Sequence, residues 1–95
     1  MIRRSTLAGG EAVKVTFAVA DDRPVSVVGD FNGWDPGAHP LRRRSNGTRS
    51  VVVQLPPSAT FRFRYLADGG DWFDDTAADG LEPNGLGGTH SLLWT

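Results

Sequence analysis

The sequence predicts an all-β fold, an immunoglobulin-like β-sandwich of six to eight short antiparallel strands, on three observations. Apolar residues recur at every second position in several separate runs. Twelve glycines and six prolines among 95 residues punctuate those runs with turns. No stretch of helical length carries apolar residues at helical spacing behind a capping box. Short alternating runs separated by frequent turns are the pattern of two sheets packed face to face.

In chain order, Val13, Val15, Phe17 and Val19 alternate with Lys14, Thr16 and Ala18, which predicts a strand with one buried face. Asp21-Asp22-Arg23-Pro24 reads as a turn, and Val25 to Phe31 as a second β run. Asn32-Gly33 is a strong turn signal, since both residue types tolerate positive φ, and Trp34-Asp35-Pro36-Gly37 continues an irregular loop to Pro40. Leu41 to Arg44 suits a short strand, followed by a turn at Ser45-Asn46-Gly47. Val51, Val53 and Leu55 alternate in a further strand that Pro56-Pro57 closes. Phe61, Phe63 and Tyr65 alternate with Arg62, Arg64 and Leu66, and this aromatic set is expected to face the core. After the turn Asp68-Gly69-Gly70-Asp71, Trp72-Phe73 begins a short strand, residues 74–88 read as a long glycine-rich loop, and Thr89 to Trp94 closes the fold. Residues 1–95 are expected to form a single domain with an ordered core from about 11 to 94.

Composition bounds the function. A mass of 10.2 kDa suits one compact domain. Without cysteine there is neither a disulfide framework, a thiolate metal site nor a cysteine nucleophile. The basic start Met1-Ile2-Arg3-Arg4 is followed by no apolar stretch of a secretory signal, and no segment approaches the ~20 apolar residues of a membrane span, so a cytoplasmic protein with no membrane partner is expected. Between Arg42 and Arg64 the ionisable residues are all arginines, whereas Asp68, Asp71, Asp74, Asp75, Asp79 and Glu82 follow without a base. A solvated surface with partial pairing across strands accounts for this pattern more readily than a charged-partner site, and no nucleic-acid partner is expected.

Two tryptophans stand where a core residue is not expected. Trp34 follows Asn32-Gly33 and Trp72 follows Asp68-Gly69-Gly70-Asp71, so both lie on or beside turns. A rigid aromatic plate stacks on the C–H face of a sugar ring while neighbouring polar groups satisfy the hydroxyls. The competing reading is that each tryptophan caps an end of the sandwich, because tryptophan is highly buried on average; composition alone favours it for Trp34 and Trp72, and more heavily for Trp94 near the end of the last strand. Catalysis is not expected. His39 and His90 sit in no ligand spacing and beside no nucleophile elbow, and the Asp71 to Asp79 carboxylates match neither a calcium loop nor a glycosidase pair. No cofactor and no metal are expected.

The run Val27-Val28-Gly29-Asp30-Phe31-Asn32-Gly33-Trp34, with Phe63 to Asp75 containing Asp68-Gly69-Gly70-Asp71-Trp72, resembles the isoamylase N-terminal, or early set, domain of carbohydrate-binding module family 48. The glycogen-binding domain of the AMP-activated protein kinase β subunit belongs to that family, and the resemblance spans about Val13 to Trp94. It implies a noncatalytic α-glucan-binding module in which Trp34 and Trp72 match the two sugar-stacking tryptophans and Leu86 the loop leucine that packs on the glucan. Arg64 stands at the position of a lysine that donates to sugar hydroxyls, a change that keeps the charge and alters the donor geometry. Asp75 matches the aspartate that orders the loop after the second tryptophan. The chain departs from the pattern at Thr76 for a proline, Gly88 for a threonine and His90 for an asparagine. Asn84 and His90 complete the expected set of sugar donors. The alternative is an early set domain that docks on a separately encoded glucan-metabolising enzyme without binding sugar, with Arg42-Arg43-Arg44 as the surface to inspect, since no catalytic barrel follows within these residues.

Overall fold

A computed structural model describes every residue except Ala8. Among the described residues nine strands form two antiparallel sheets: β1 (Ile2–Thr6), β2 (Val13–Val19), β3 (Val25–Gly29), β4 (Arg42–Arg43), β5 (Arg49–Leu55), β6 (Thr60–Ala67), β7 (Asp71–Phe73), β8 (Gly80–Pro83) and β9 (Thr89–Trp94). The first sheet has the order β1-β2-β5-β4 and the second β3-β6-β9-β8, with β7 paired to β6 beyond the end of β9. Orders 1-2-5-4 and 3-6-9 are those of the two sheets of a constant-type immunoglobulin sandwich. Strands β7 and β8 are additions within the connection from β6 to β9.

Alternation sorts the side chains. Val13, Val15 and Phe17 of β2, Val53 and Leu55 of β5, Val25 and Val27 of β3, Phe63, Tyr65 and Ala67 of β6, and Leu93 of β9 point inward and form one buried cluster. Aromatic rings run through it: Phe17 meets Phe63 edge-on at 5.1 Å between centroids, Phe63 meets Tyr65 at 5.7 Å, and Tyr65 meets Phe73 at 5.3 Å. Each such contact adds to the burial of its apolar area. Phe63 and Tyr65 are fully buried and Phe61 is half-buried at the rim, as the alternation predicts.

Two strands differ from the sequence reading. Ile2–Thr6 form β1, outside the expected ordered core, because register with β2 pairs Ile2 with Phe17 and Thr6 with Val13, although the run has little apolar alternation of its own. Gly80–Pro83 form β8 inside what reads as a continuous loop, paired with β9 from Gly80 opposite Leu92 to Pro83 opposite Thr89. Both are edge strands, where a partner supplies the hydrogen bonds and burial supplies little sequence signal.

Gly29 ends β3 with extended backbone pressed against β6: a Cβ there would lie 2.5 Å from the Arg62 carbonyl oxygen and 2.9 Å from the Phe63 Cβ. Only glycine allows this approach, and it sends the chain into a 3-10 turn at Asp30–Asn32. Phe31 of that turn plugs the sandwich end against Phe17 and Phe61, with centroids 5.6 and 6.0 Å away.

Candidate functional site

The outward face of the β3-β6-β9-β8 sheet gathers most of the residues singled out in the sequence. Trp34 reaches it from the loop after β3. Asn32 clamps that loop, its Oδ1 accepting from the Gly29 amide at 3.0 Å while its Nδ2 donates to the Val27 carbonyl at 3.0 Å and to His39 Nδ1 at 2.9 Å. Gly33 and Trp34 both take left-handed backbone, with φ of 67° and 59°, and the Trp34 amide donates to the Gly29 carbonyl at 2.8 Å. This geometry is strained for a bulky residue, and it turns the indole out of the loop onto the sheet. The ring stands 6.4 Å from that of His90 on β9.

Trp72 sits on β7 opposite Leu66, the next outward position of β6 after Arg64. Arg64 adjoins Trp72: its Nη2 donates to the Trp72 carbonyl at 3.4 Å, its Nε faces Asp74 at 3.4 Å, and continuing the Arg62–Leu92 and Phe63–Ser91 rungs by one residue sets His90, the neighbour of Trp34, opposite it. Trp34 and Trp72 are each 41% exposed, and neither indole nitrogen has a protein partner among the described residues. The reading in which they cap the sandwich as buried side chains is therefore excluded. Trp94, for which burial was favoured, is also 55% exposed, because it follows His90 and Leu92 on the outward face of β9.

The remaining candidates have structural duties as well. Asn84 Oδ1 accepts from the amides of Leu86 at 2.8 Å and Gly88 at 3.1 Å, so its oxygen holds the tip of the β8–β9 loop. That tip presents Leu86, 89% exposed, between Gly85 and Gly87 at positive φ. His90 Nε2 donates to Glu82 at 2.9 Å, and Arg62 Nε donates to the same carboxylate oxygen at 2.7 Å. The Arg62 guanidinium first, then His90, hold the Glu82 carboxyl down at about 2. Glu82 organises the polar side of the face, yet the sequence reading missed it, since only the β8–β9 register brings it beside His90. Asp74, just after β7, was missed because only the tertiary fold brings it to Thr89, Ser91 and Arg64. It accepts from Thr89 Oγ1 at 2.6 Å and Ser91 Oγ at 3.0 Å as well as facing Arg64.

Asp75 lies beneath this surface rather than on it. Its carboxylate accepts from the Tyr65 hydroxyl at 2.5 Å and the Ala77 amide at 2.8 Å, and its own amide donates to Ser91 Oγ at 3.1 Å. A cavity of about 400 Å³ between the sheets adjoins it, lined in part by Val19, Thr48, Tyr65 and Phe73 and by neither Trp34 nor Trp72. The tryptophan face is accordingly an open surface and not part of that cavity. Among the described residues no group of three or more His, Asp or Glu is placed to hold a metal ion, and no helix is long and apolar enough to cross a membrane.

Fold and surface together define a small antiparallel β-sandwich with exposed aromatics on the outer face of one sheet. No family model matches the chain. Its sequence is similar to segments of bacterial 1,4-alpha-glucan branching enzymes: 42% identical over 64 residues to that of Xanthomonas campestris, covering 63% of this chain and 9% of the enzyme. Similarity to the Deinococcus radiodurans enzyme is 32% over 95 residues, covering 95% of this chain and 13% of the enzyme. The Rhodopseudomonas palustris enzyme is 50% identical over 55 residues, covering 58% of this chain and 7% of the enzyme. The chain thus spans about a tenth of the length of these relatives.

Proposed function

We propose that this domain is a noncatalytic α-glucan-binding module that uses the outward face of the β3-β6-β9-β8 sheet. The observation that carries the reading is the placement of Trp34 beside His90 and of Trp72 beside Arg64 on one sheet face, both exposed and with indole nitrogens that have no protein partner among the described residues. Each ring offers an apolar plate to a glucose unit, Arg64 and the Asn84 Nδ2 offer donors to hydroxyls, the His90 Nδ1 offers an acceptor, and Leu86 bounds the side. The similarity to branching enzymes, whose name specifies an α-1,4-glucan, supports that polymer as the ligand class. The chain would act as an early set module of carbohydrate-binding family 48, in a cytoplasmic setting.

A flat face with two stacking plates and a few hydrogen bonds that compete with water gives weak affinity, on the order of 0.01 to 1 mM for short oligosaccharides. Repeated chains on a branched polymer raise the apparent strength. The test is native electrophoresis through gels containing glycogen, amylopectin or no polysaccharide. Wild type is expected to be retarded by the polysaccharides, and Trp34→Ala and Trp72→Ala, shown to be folded by circular dichroism, to migrate freely. Equal mobility of all three proteins in every gel would overturn glucan binding and leave docking on a glucan-metabolising enzyme as the function.

A further inference from the structure

The outer face of the other sheet carries a second surface. Of ten basic residues, Arg4, Arg23, Arg62 and Arg64 form ion pairs with carboxylates. The other six, Arg3, Lys14, Arg42, Arg43, Arg44 and Arg49, form none among the described residues, and each lies on or next to a strand of the β1-β2-β5-β4 sheet. Those four strands contain no Asp or Glu.

Register places four of the six on the outward face. Arg3 is opposite Thr16, which is opposite Val52; Lys14 lies between Ser5 and Gln54; Arg42 is opposite Ser50, whose hydroxyl accepts from Arg44 Nε at 2.7 Å. The face is thus an uncharged middle of Thr16, Ser50, Val52 and Gln54, with cations around it. Val52 is 47% exposed at its centre. A centre free of charge that exposes a valine, ringed by cations, suits the docking of a complementary protein surface.

We propose that this face docks an acidic surface of another protein. Nucleic acid fits it poorly, because the face has no aromatic side chain to stack a base and no helix or ribbon to enter a groove. A second copy of the chain fits poorly too: Asp21, Asp71, Asp74, Asp79 and Glu82 are already paired with arginines of their own chain, and Glu11, Asp22, Asp30, Asp35 and Asp68, which form no ion pair among the described residues, are scattered over four separate connections between strands and make no acidic patch. The two outer faces of a sandwich point in opposite directions, so a partner held here leaves the tryptophan face open.

The experiment is a titration of the ¹⁵N-labelled domain, followed by amide chemical shifts, with a glutamate-rich peptide containing interspersed leucines, a pure polyglutamate peptide and a DNA duplex. Saturable shifts confined to β1, β2, β4 and β5 are expected, with affinity falling roughly tenfold between about 50 and 200 mM salt. The leucine-containing peptide should bind several-fold more tightly than polyglutamate, and Val52→Asp should remove that difference. Lys14→Glu combined with Arg42→Glu should abolish binding, as should Arg3→Glu with Arg44→Glu, while the thermal midpoint is retained. Absence of saturable binding, shifts spread equally to Arg62 and Arg64, no preference for leucine, or equal affinity for DNA would each overturn the proposal. Glycogen retardation of the charge-reversed variants reports the other face, so the two readings fail separately.

Discussion

Trp34 shows how much a single backbone angle matters to this surface. A φ of 59° is a glycine-like conformation, and a side chain there is strained by about 1–3 kcal/mol. The loop holds it by the Asn32 clamp below and the His90 ring beside it. Alanine keeps the Cβ and its strain, whereas glycine releases it. Trp34→Gly is therefore expected to be more stable than Trp34→Ala by about 1 kcal/mol in urea denaturation, although both lose retardation by glycogen. Equal stability of the two variants would show that the backbone angle is not strained. Gly29, five residues earlier, is glycine for another reason: it has extended φ, and what excludes a side chain is the β6 backbone.

Among the elements, the connection from β6 to β9 depends most on tertiary contacts. Nothing in residues 74–88 buries a continuous apolar stripe, and the segment is fixed by two adjacent carboxylates facing different ways. Asp74 ties the outward Arg64 to Thr89 and Ser91, and Asp75 turns inward to the Tyr65 hydroxyl. Burial raises the Tyr65 phenol above its usual range, and its proton stays on the hydroxyl as a donor to Asp75. Tyr65→Phe leaves the buried carboxylate without that donor and is expected to cost about 1–3 kcal/mol in chemical denaturation, with faster hydrogen exchange at the Ala77 amide. An unchanged midpoint would show that Asp75 is satisfied without it. This dependence explains what the sequence could and could not tell. Strands β2, β5 and β6 bury one face and alternate visibly, and the Gly29 to Trp34 run prescribes its own turn, so both were legible; the exposure of Trp34 and Trp72 was signalled by their places beside turns but ran against what composition favours. The strand β8, the Glu82 cluster and the exposure of Trp94 follow from register between distant segments, for which no local residue pattern exists. Likewise the second duty of Asn84, whose oxygen accepts from the loop amides of Leu86 and Gly88 while its Nδ2 stays available to donate, shows only in the folded loop.

For the whole molecule, the six cations without an ion pair among the described residues collect on or beside the β1-β2-β5-β4 sheet, whereas Arg62 and Arg64 of the tryptophan face are both paired. The paired groups make stability sensitive to acid. Glu82 is held at about 2 against an ordinary 4.5 by Arg62 and His90, and Asp21 at about 2 against 3.8 by Arg23. A lowered folded-state value means that these carboxylates stabilise the fold above the ordinary values and stop doing so as pH falls from 4.5 towards 2. The thermal midpoint is expected to drop across that window, modestly because the pairs are exposed, and Glu82→Gln should flatten part of the drop. A midpoint that falls equally steeply in Glu82→Gln would remove Glu82 from the account. The loop that carries Trp34 also runs back along the free edge of β3, where Val27 donates to the His39 carbonyl at 3.1 Å, Leu41 donates to the Val25 carbonyl at 2.8 Å, and Pro40, which has no N–H, bridges Ser26. The segment that offers a ligand surface is thus the sheath that stops β3 from recruiting a neighbour's strand. Any remodelling of that loop for tighter or altered recognition must keep the sheath intact, or solubility will be lost before specificity is gained.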